Sequence, residues 1–327
     1  MAISRKIYTN SNVEIKAHDV ALNGGSPAGT ALYAKPNTVQ NATFTLTIPR
    51  ADVNSFGIKG VVSRPQLEAT SATVEFSWIP LIDSPVALDD ALDAGAAGGD
   101  EATNPYATLS ERDIGKTSND TGLFGDTLAD APKYVGVNVH NVGAIMNGLL
   151  TSLSGDATVG ALPTFTASFL GAQSDGVNGV AGWATDGYGN STASNSGGAQ
   201  VSIATAEPHH IAVYGAVADD NGCVQSGAFT WDMPVELVLC LGDDPATKGE
   251  ALSSPPGTAS ITIEGLTGDI AVATANQMVT KLKIGAYRFD VGSSAKIDSR
   301  THNMAVGELF GTYNYVVGST ADSCDMD

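Results

Sequence analysis

Apolar and polar residues alternate along much of this chain, and that alternation predicts strands. Ala42-Thr43-Phe44-Thr45-Leu46-Thr47-Ile48 puts Phe44, Leu46 and Ile48 on one side and three threonines on the other, the period-two pattern of a half-buried strand. Val13-Glu14-Ile15-Lys16 alternates over a shorter run, and Ala72 to Ile79 sets Val74, Phe76 and Trp78 on a common face. Between the two long strands, Pro49 ends the first, and Arg50 to Gly57 reads as a short helix. Val53 and Phe56 lie three apart on one side of it, with Gly57 as a left-handed cap. Residues 83–133 form a long polar excursion rich in Gly, Asp and Pro. Loops of that length are functional or disordered, and this one is expected to be an arm that packs on a neighbouring subunit. A β-rich block resumes at Tyr134, where Gly148–Gly155 and Leu162–Phe169 predict two antiparallel strands around a turn.

The pattern is lost over 171–199, a Gly/Ser/Asn-rich stretch of linker composition. Its place just past the middle of the chain invites a search for internal repetition. Val39-Gln40, Phe44-Thr45, Pro49, Val53 and Gly57 align without gaps on Val224-Gln225, Phe229-Thr230, Pro234, Val238 and Gly242, at a constant offset (224 − 39 = 185). Both stretches read as a strand stopped by proline and then an apolar-faced turn of helix stopped by glycine. Thr73-Val74-Glu75-Phe76 is echoed further on by Ser260-Ile261-Thr262-Ile263. The expected organisation is therefore a first domain over 1–175 carrying the 83–133 insertion, a linker over 176–198, and a shorter related domain over 199–327.

Composition narrows the class. The chain has 327 residues, 37 of them glycine, and long Leu/Glu/Lys/Ala-rich stretches are nearly absent, so the fold is expected to be all-β. Asp and Glu outnumber Lys and Arg by 35 to 16, a net charge of −19. A surface that acidic repels phosphates and anionic membranes, which argues against clamping nucleic acid or lying on a bilayer. No apolar run has the length of a membrane-spanning helix and the N-terminus lacks a signal-peptide core, so synthesis in a cytoplasm is expected.

Chemistry is sparse. Cys223, Cys240 and Cys324 match no metal spacing and no disulfide framework; Cys240, within Val238-Leu239-Cys240-Leu241, reads as a small buried hydrophobe. His209-His210 would point to opposite faces of a strand and make a poor chelate, while His18, His140 and His302 are scattered. Asp89-Asp90, Asp219-Asp220 and Asp243-Asp244 lack the spacing of a calcium loop and read as solvated turns. No nucleotide-binding or nucleophile motif is present. The expectation is no catalytic, cofactor-binding or metal-binding residue, and an architectural role instead of an enzymatic one.

Two stretches resemble the tail tube proteins of long-tailed phages. One is Phe44-Thr-Leu-Thr-Ile-Pro-Arg-Ala-Asp-Val-Asn-Ser-Phe-Gly57 with Arg64-Pro65 and the strand Thr73-Val-Glu-Phe-Ser77. The other runs from Leu149 to Gly171 through Val159-Gly-Ala-Leu-Pro-Thr164, and resembles the late hairpin of that family. Together they cover roughly 55 residues of the first half; the matches at 224–265 and 284–317 are looser. The resemblance implies tandem β-sandwich domains, each with a small helix and long loops, whose sheets join across subunits into rings lined by a β-barrel. Stacked rings form the virion tail tube, assembled in the host cytoplasm, which holds a tape-measure protein, meets tail-end proteins, and passes DNA without specific binding. Single-domain tube proteins form sixfold rings, so two fused domains imply a trimeric ring with pseudo-sixfold symmetry. Asp156 and Glu75 are candidates to face the lumen. A capsid decoration or baseplate protein, or a β-sandwich adhesin or carbohydrate-binding module, are the alternatives. Trp78 and Trp231 are expected in cores, not in the exposed platforms sugars need.

Overall fold

Every regular element among the described residues of the computed structural model is a β-strand. These residues are 13–17, 33–34, 38–80, 135–139, 143–172, 180–181, 203–205, 211–215, 224–232, 234–238, 241, 250–253, 257–266, 279–285, 287–292, 295–306, 312–320 and 325–326. In the first half the strands are β1 (Val13–Ala17), β2 (Tyr33–Ala34), β3 (Val39–Thr47), β4 (Val53–Asn54), β5 (Val61–Ser63), β6 (Ser71–Trp78), β7 (Val135–Val139), β8 (Gly143–Thr158), β9 (Thr164–Ala172) and β10 (Val180–Ala181). The second half holds β11 (Ile211–Gly215), β12 (Val224–Asp232), β13 (Val235–Val238), β14 (Glu250–Ser253), β15 (Thr258–Leu266), β16 (Val279–Ile284), β17 (Tyr287–Asp290), β18 (Lys296–Asn303), β19 (Thr312–Thr320) and β20 (Asp325–Met326).

Eight of these strands form one antiparallel path, β3-β6-β9-β8-β12-β15-β19-β18, within a 12-stranded sheet. The predicted alternation decides which side is buried. Val74, Phe76 and Trp78 of β6, Phe165 and Phe169 of β9, Leu153 of β8, Phe229 and Trp231 of β12, and Ile261 and Ile263 of β15 all lie in the core. Over this apolar face sits a second layer, giving a sandwich-like arrangement. β1, β7 and the N-terminal half of β8 supply Val13, Val137, Val139 and Ile145 to it. The separate sheet β11-β16-β17-β20 supplies Val213, Leu282, Ile284, Tyr287 and Phe289. Aromatic rings run unbroken through the core. Phe169 stacks on Phe76, Trp78 meets Phe165 edge-on, Phe165 meets Phe229 at 5.3 Å, and Phe229 stacks on Phe289 at 4.6 Å.

The predicted helix over 50–57 does not form. Arg50 bridges to Gln66, Ala51 N–H donates to the Pro65 carbonyl and Leu67 N–H to the Pro49 carbonyl, so this stretch pairs with 61–67 as a projecting hairpin. Val53 and Phe56 have the helical spacing, but Phe56 is fully exposed and Val53 nearly half exposed. With no surface to bury that side, an eight-residue helix would gain little, whereas strand pairing satisfies backbone groups on both arms. Gly57, at φ +82°, serves the hairpin turn instead of a helix cap. The corresponding stretch after Pro234 is also extended, β13 pairing with β14. The 83–133 excursion lies outside the described residues. Within the expected linker, Val180 and Ala181 pair with Ile145 and Ala144 of β8.

Candidate functional site

The surface that sets this chain apart is the outward face of the eight-strand path, together with the way its two halves meet. The same alternation that buries the aromatics sends Thr43, Thr45 and Thr47 of β3, Thr73 and Glu75 of β6, Thr166 and Ser168 of β9, and Ser152, Ser154, Asp156 and Thr158 of β8 to the opposite side. The face continues without a break onto Ser226, Thr230 and Asp232 of β12, Ser260, Thr262 and Glu264 of β15, and Asn314 of β19. Hydroxyls dominate, and some pair across strands, as do Thr230 and Ser260 at 2.9 Å. From β3 through β15 every charged side chain on this face is a carboxylate: Glu75, Asp156, Asp232 and Glu264. Asp156 and Asp232 are hemmed between paired strands, and the loss of water raises both carboxyl pKa values above the ordinary 3.8. The two sequence candidates, Asp156 and Glu75, thus share one polar face.

The two halves of the path match in detail. β3-β6-β9-β8 and β12-β15-β19-β18 have the same strand order. Phe44 opposes Val74, which opposes Phe169; Phe229 opposes Ile261, which opposes Val317. An extra residue interrupts β3 at Gln40 and β12 at Gln225, the aligned glutamines of the sequence repeat. A second bulge falls at Thr151 between Leu150–Phe169 and Ser152–Ser168, and its counterpart at Asp298 lies between Ile297–Val317 and Ser299–Val316. Bulges re-aim a strand and fix its register, so two of them at equivalent positions tie each residue of one half to one residue of the other. The covering layers correspond too: β1-β7-β8 in the first half, β11-β16-β17 in the second.

The halves are joined edge to edge. Ser152–Thr158 of β8 pair antiparallel with Asp232–Ser226 of β12, and Val159 N–H donates to the Gln225 carbonyl at 2.9 Å. The core crosses the joint through Phe165 and Phe229, and Gly155 makes room for both rings. A Cβ there would lie 2.4 Å from Phe229 Cε1 and 2.5 Å from Phe165 Cε1. Among the described strands the path ends at β3, paired with β6 alone, and at β18, paired with β19 alone. All of β18 is exposed, with Arg300 Nε donating to His302 Nε2 at 2.7 Å.

Sequence reading missed one signal that marks this symmetry. Val159-Gly160-Ala161-Leu162, between β8 and β9 in the chain, and Val306-Gly307-Glu308-Leu309, between β18 and β19, share Val-Gly-x-Leu. The offset here is 147 (306 − 159), not the 185 of the first match, so a comparison at one fixed offset passes over it. Trp78 and Trp231 are both buried, as expected. His302 is exposed; His18, His140, His209-His210, the three cysteines and the acidic pairs at 89–90, 219–220 and 243–244 lie outside the described residues. Among those described, no group of three or more His, Cys, Asp or Glu could hold a metal ion, and no helix is long and apolar enough to cross a membrane. No protein-family model matches the chain, and no curated protein matches it.

Proposed function

We propose that this chain is a structural subunit of a phage tail tube, built from two copies of one tube domain, three chains closing into a ring with pseudo-sixfold symmetry. The observation that carries the reading is the edge-to-edge joint of two half-sheets with the same strand order and the same two bulges. A unit that joins to its own duplicate once has the geometry to do so again, and a repeated head-to-tail joint closes into a ring if the rotation allows. The polar face would then line the lumen and the aromatic face the wall. From β3 through β15 such a lumen would present hydroxyls and carboxylates and no cation for DNA to hold. Its repulsion is screened within ~8 Å at physiological salt, which discourages adhesion and permits passage. Closing the ring would pair the terminal strands, which are otherwise aggregation-prone edges. The partners of this reading are further copies of the chain, a tape-measure protein inside the tube and the proteins at its two ends. The role is architectural, in the virion tail, with no catalysis.

Negative-stain microscopy of the concentrated protein at moderate salt tests this. Hollow rings or stacked tubes are expected. A chain that stays monomeric and binds glycans would replace the reading with that of an adhesin.

A further inference from the structure

The chain contains one solved example of the joint its assembly would need, and the register of the missing joint follows from it. Matching bulges align β18 on β8, with Asp298 at the place of Thr151, and β3 on β12, with Gln40 at the place of Gln225. Substituting these equivalents into the observed β8–β12 pairing turns Gly155–Phe229 into His302–Phe44, Ser154–Thr230 into Thr301–Thr45, and Ser152–Asp232 into Ser299–Thr47. We propose that β18 of one chain pairs antiparallel with β3 of a second copy in this register, Thr301 opposite Thr45, with Val306 N–H of the first chain bonded to the Gln40 carbonyl of the second. The inference rests on the tube reading for the identity of the partner, a second copy of this chain.

Several independent features fit that register. The polar side continues through the new joint as Thr45 beside Thr301 and Thr43 beside Asn303. The other side sets Phe44, Leu46 and Ala42, all half-buried in the single chain, opposite His302, Arg300 and Met304, so it would be covered by long side chains of which Met304 alone is apolar. The position equivalent to Phe165, which receives Phe229 at the internal joint, is Tyr313, again aromatic. Val306, fully exposed, stands where Val159 lies at the internal joint. The joints are not identical. Where Gly155 yields to two rings, the second joint has His302, so its aromatic contact is made against a polar side chain and this interface is the weaker and reversible one. A second consequence concerns the hairpin of β4 and β5. Its counterpart, β13–β14, reaches back across the internal joint to approach β9. The β4–β5 hairpin of the arriving chain is therefore directed at β19 of the chain before it, the equivalent of β9.

Cysteine cross-linking between separate chains tests the register. Directly opposed strand residues have Cα atoms about 4.5–5.5 Å apart, within disulfide reach, whereas a two-residue slip moves them beyond it. Thr45→Cys protein mixed with Thr301→Cys protein and mildly oxidised should give a disulfide between positions 45 and 301, identified by peptide mapping and lost on reduction. The yield should exceed by at least about tenfold that of the slipped mixture, Thr45→Cys with Asn303→Cys. Ser154→Cys with Thr230→Cys in one chain is the internal standard for this geometry. The unsubstituted protein gives the background from its own three cysteines. Tubes that form with the slipped bond, or with neither, overturn the register and leave the tube reading standing. The 45–301 bond in closed dimers or flat ribbons supports the pairing and removes the tube. Neither bond and no assembly overturns both.

Discussion

Gly155 is the residue on which the internal joint turns. Its missing side chain is the space in which Phe165 and Phe229 meet edge-on, one from each half of the sheet. Gly155→Ala must push ring atoms of both partners or open the strands, and overpacking of a close-packed core costs about 1–3 kcal/mol. Chemical denaturation should register that loss, and cleavage of a loosened joint by protease should rise with it. Trp231→Ala would remove more, about 3–5 kcal/mol, because it empties a fully buried site. Asp156 and Asp232 act in the opposite sense. Their carboxyl pKa values are raised in the fold by desolvation, so the folded chain binds protons more readily than the unfolded one, and stability rises as pH falls through that window. The Asp156→Asn, Asp232→Asn double variant should accordingly be the more stable protein at neutral pH. Its advantage should shrink as pH falls through the raised folded values and be gone below 3.8, where both states of the wild type are protonated. Paired denaturation curves at three pH values would show it, and a variant less stable at neutral pH would contradict it.

At the scale of elements, alternation was readable wherever one face of a strand is buried. Phe44 and Leu46, Val74 to Trp78, and the pair of strands around Val159-Gly160 all follow from it. The segment after Pro49 misled because Val53 and Phe56 satisfy helical spacing without having anything to pack on; their spacing arises in a hairpin whose apolar residues face solvent. Ile58, Val61, Val62 and Leu67 share that exposure, and Leu241, between β13 and β14 in the chain, is as open as Phe56. On the tube reading, the exposed Phe56 and Leu241 are the proposed contacts with neighbouring rings. Phe56→Asp and Leu241→Asp should leave the melting temperature of the single chain nearly unchanged, since exposed substitutions stay within about 0.5 kcal/mol, and should block growth from rings into tubes. Sedimentation alongside thermal unfolding separates the two effects. By contrast, the Arg64–Asp52 ion pair at 2.6 Å is open to solvent on both sides, and Arg64→Ala should cost no more than ~1 kcal/mol.

For the whole molecule, the gapless match between 39–57 and 224–242 covers β3 and β12, and its aligned glutamines, Gln40 and Gln225, are the bulge residues of both strands. It passed over the likeness of β18 and β19 to β8 and β9, because the offset there is 147 (298 − 151) instead of 185 and because the aligned core positions differ in chemistry. Arg300 and His302 stand on β18 where Leu153 and Gly155 stand on β8. The polar face was half legible. Its threonines and serines are written in the alternation, but its continuity over eight strands depends on which strands become neighbours, and that is a property of long-range pairing. On the tube reading, with six equivalent positions in a ring and two supplied by each chain, three chains complete the circle.

The mass of the assembled ring, measured on intact particles together with end-view images, tests this account most directly. Three chains of 33.3 kDa and six similar lobes around an open centre are the predicted result. Six chains in a ring, or three lobes without a sixfold repeat, would contradict the equivalence of the two halves on which the account stands.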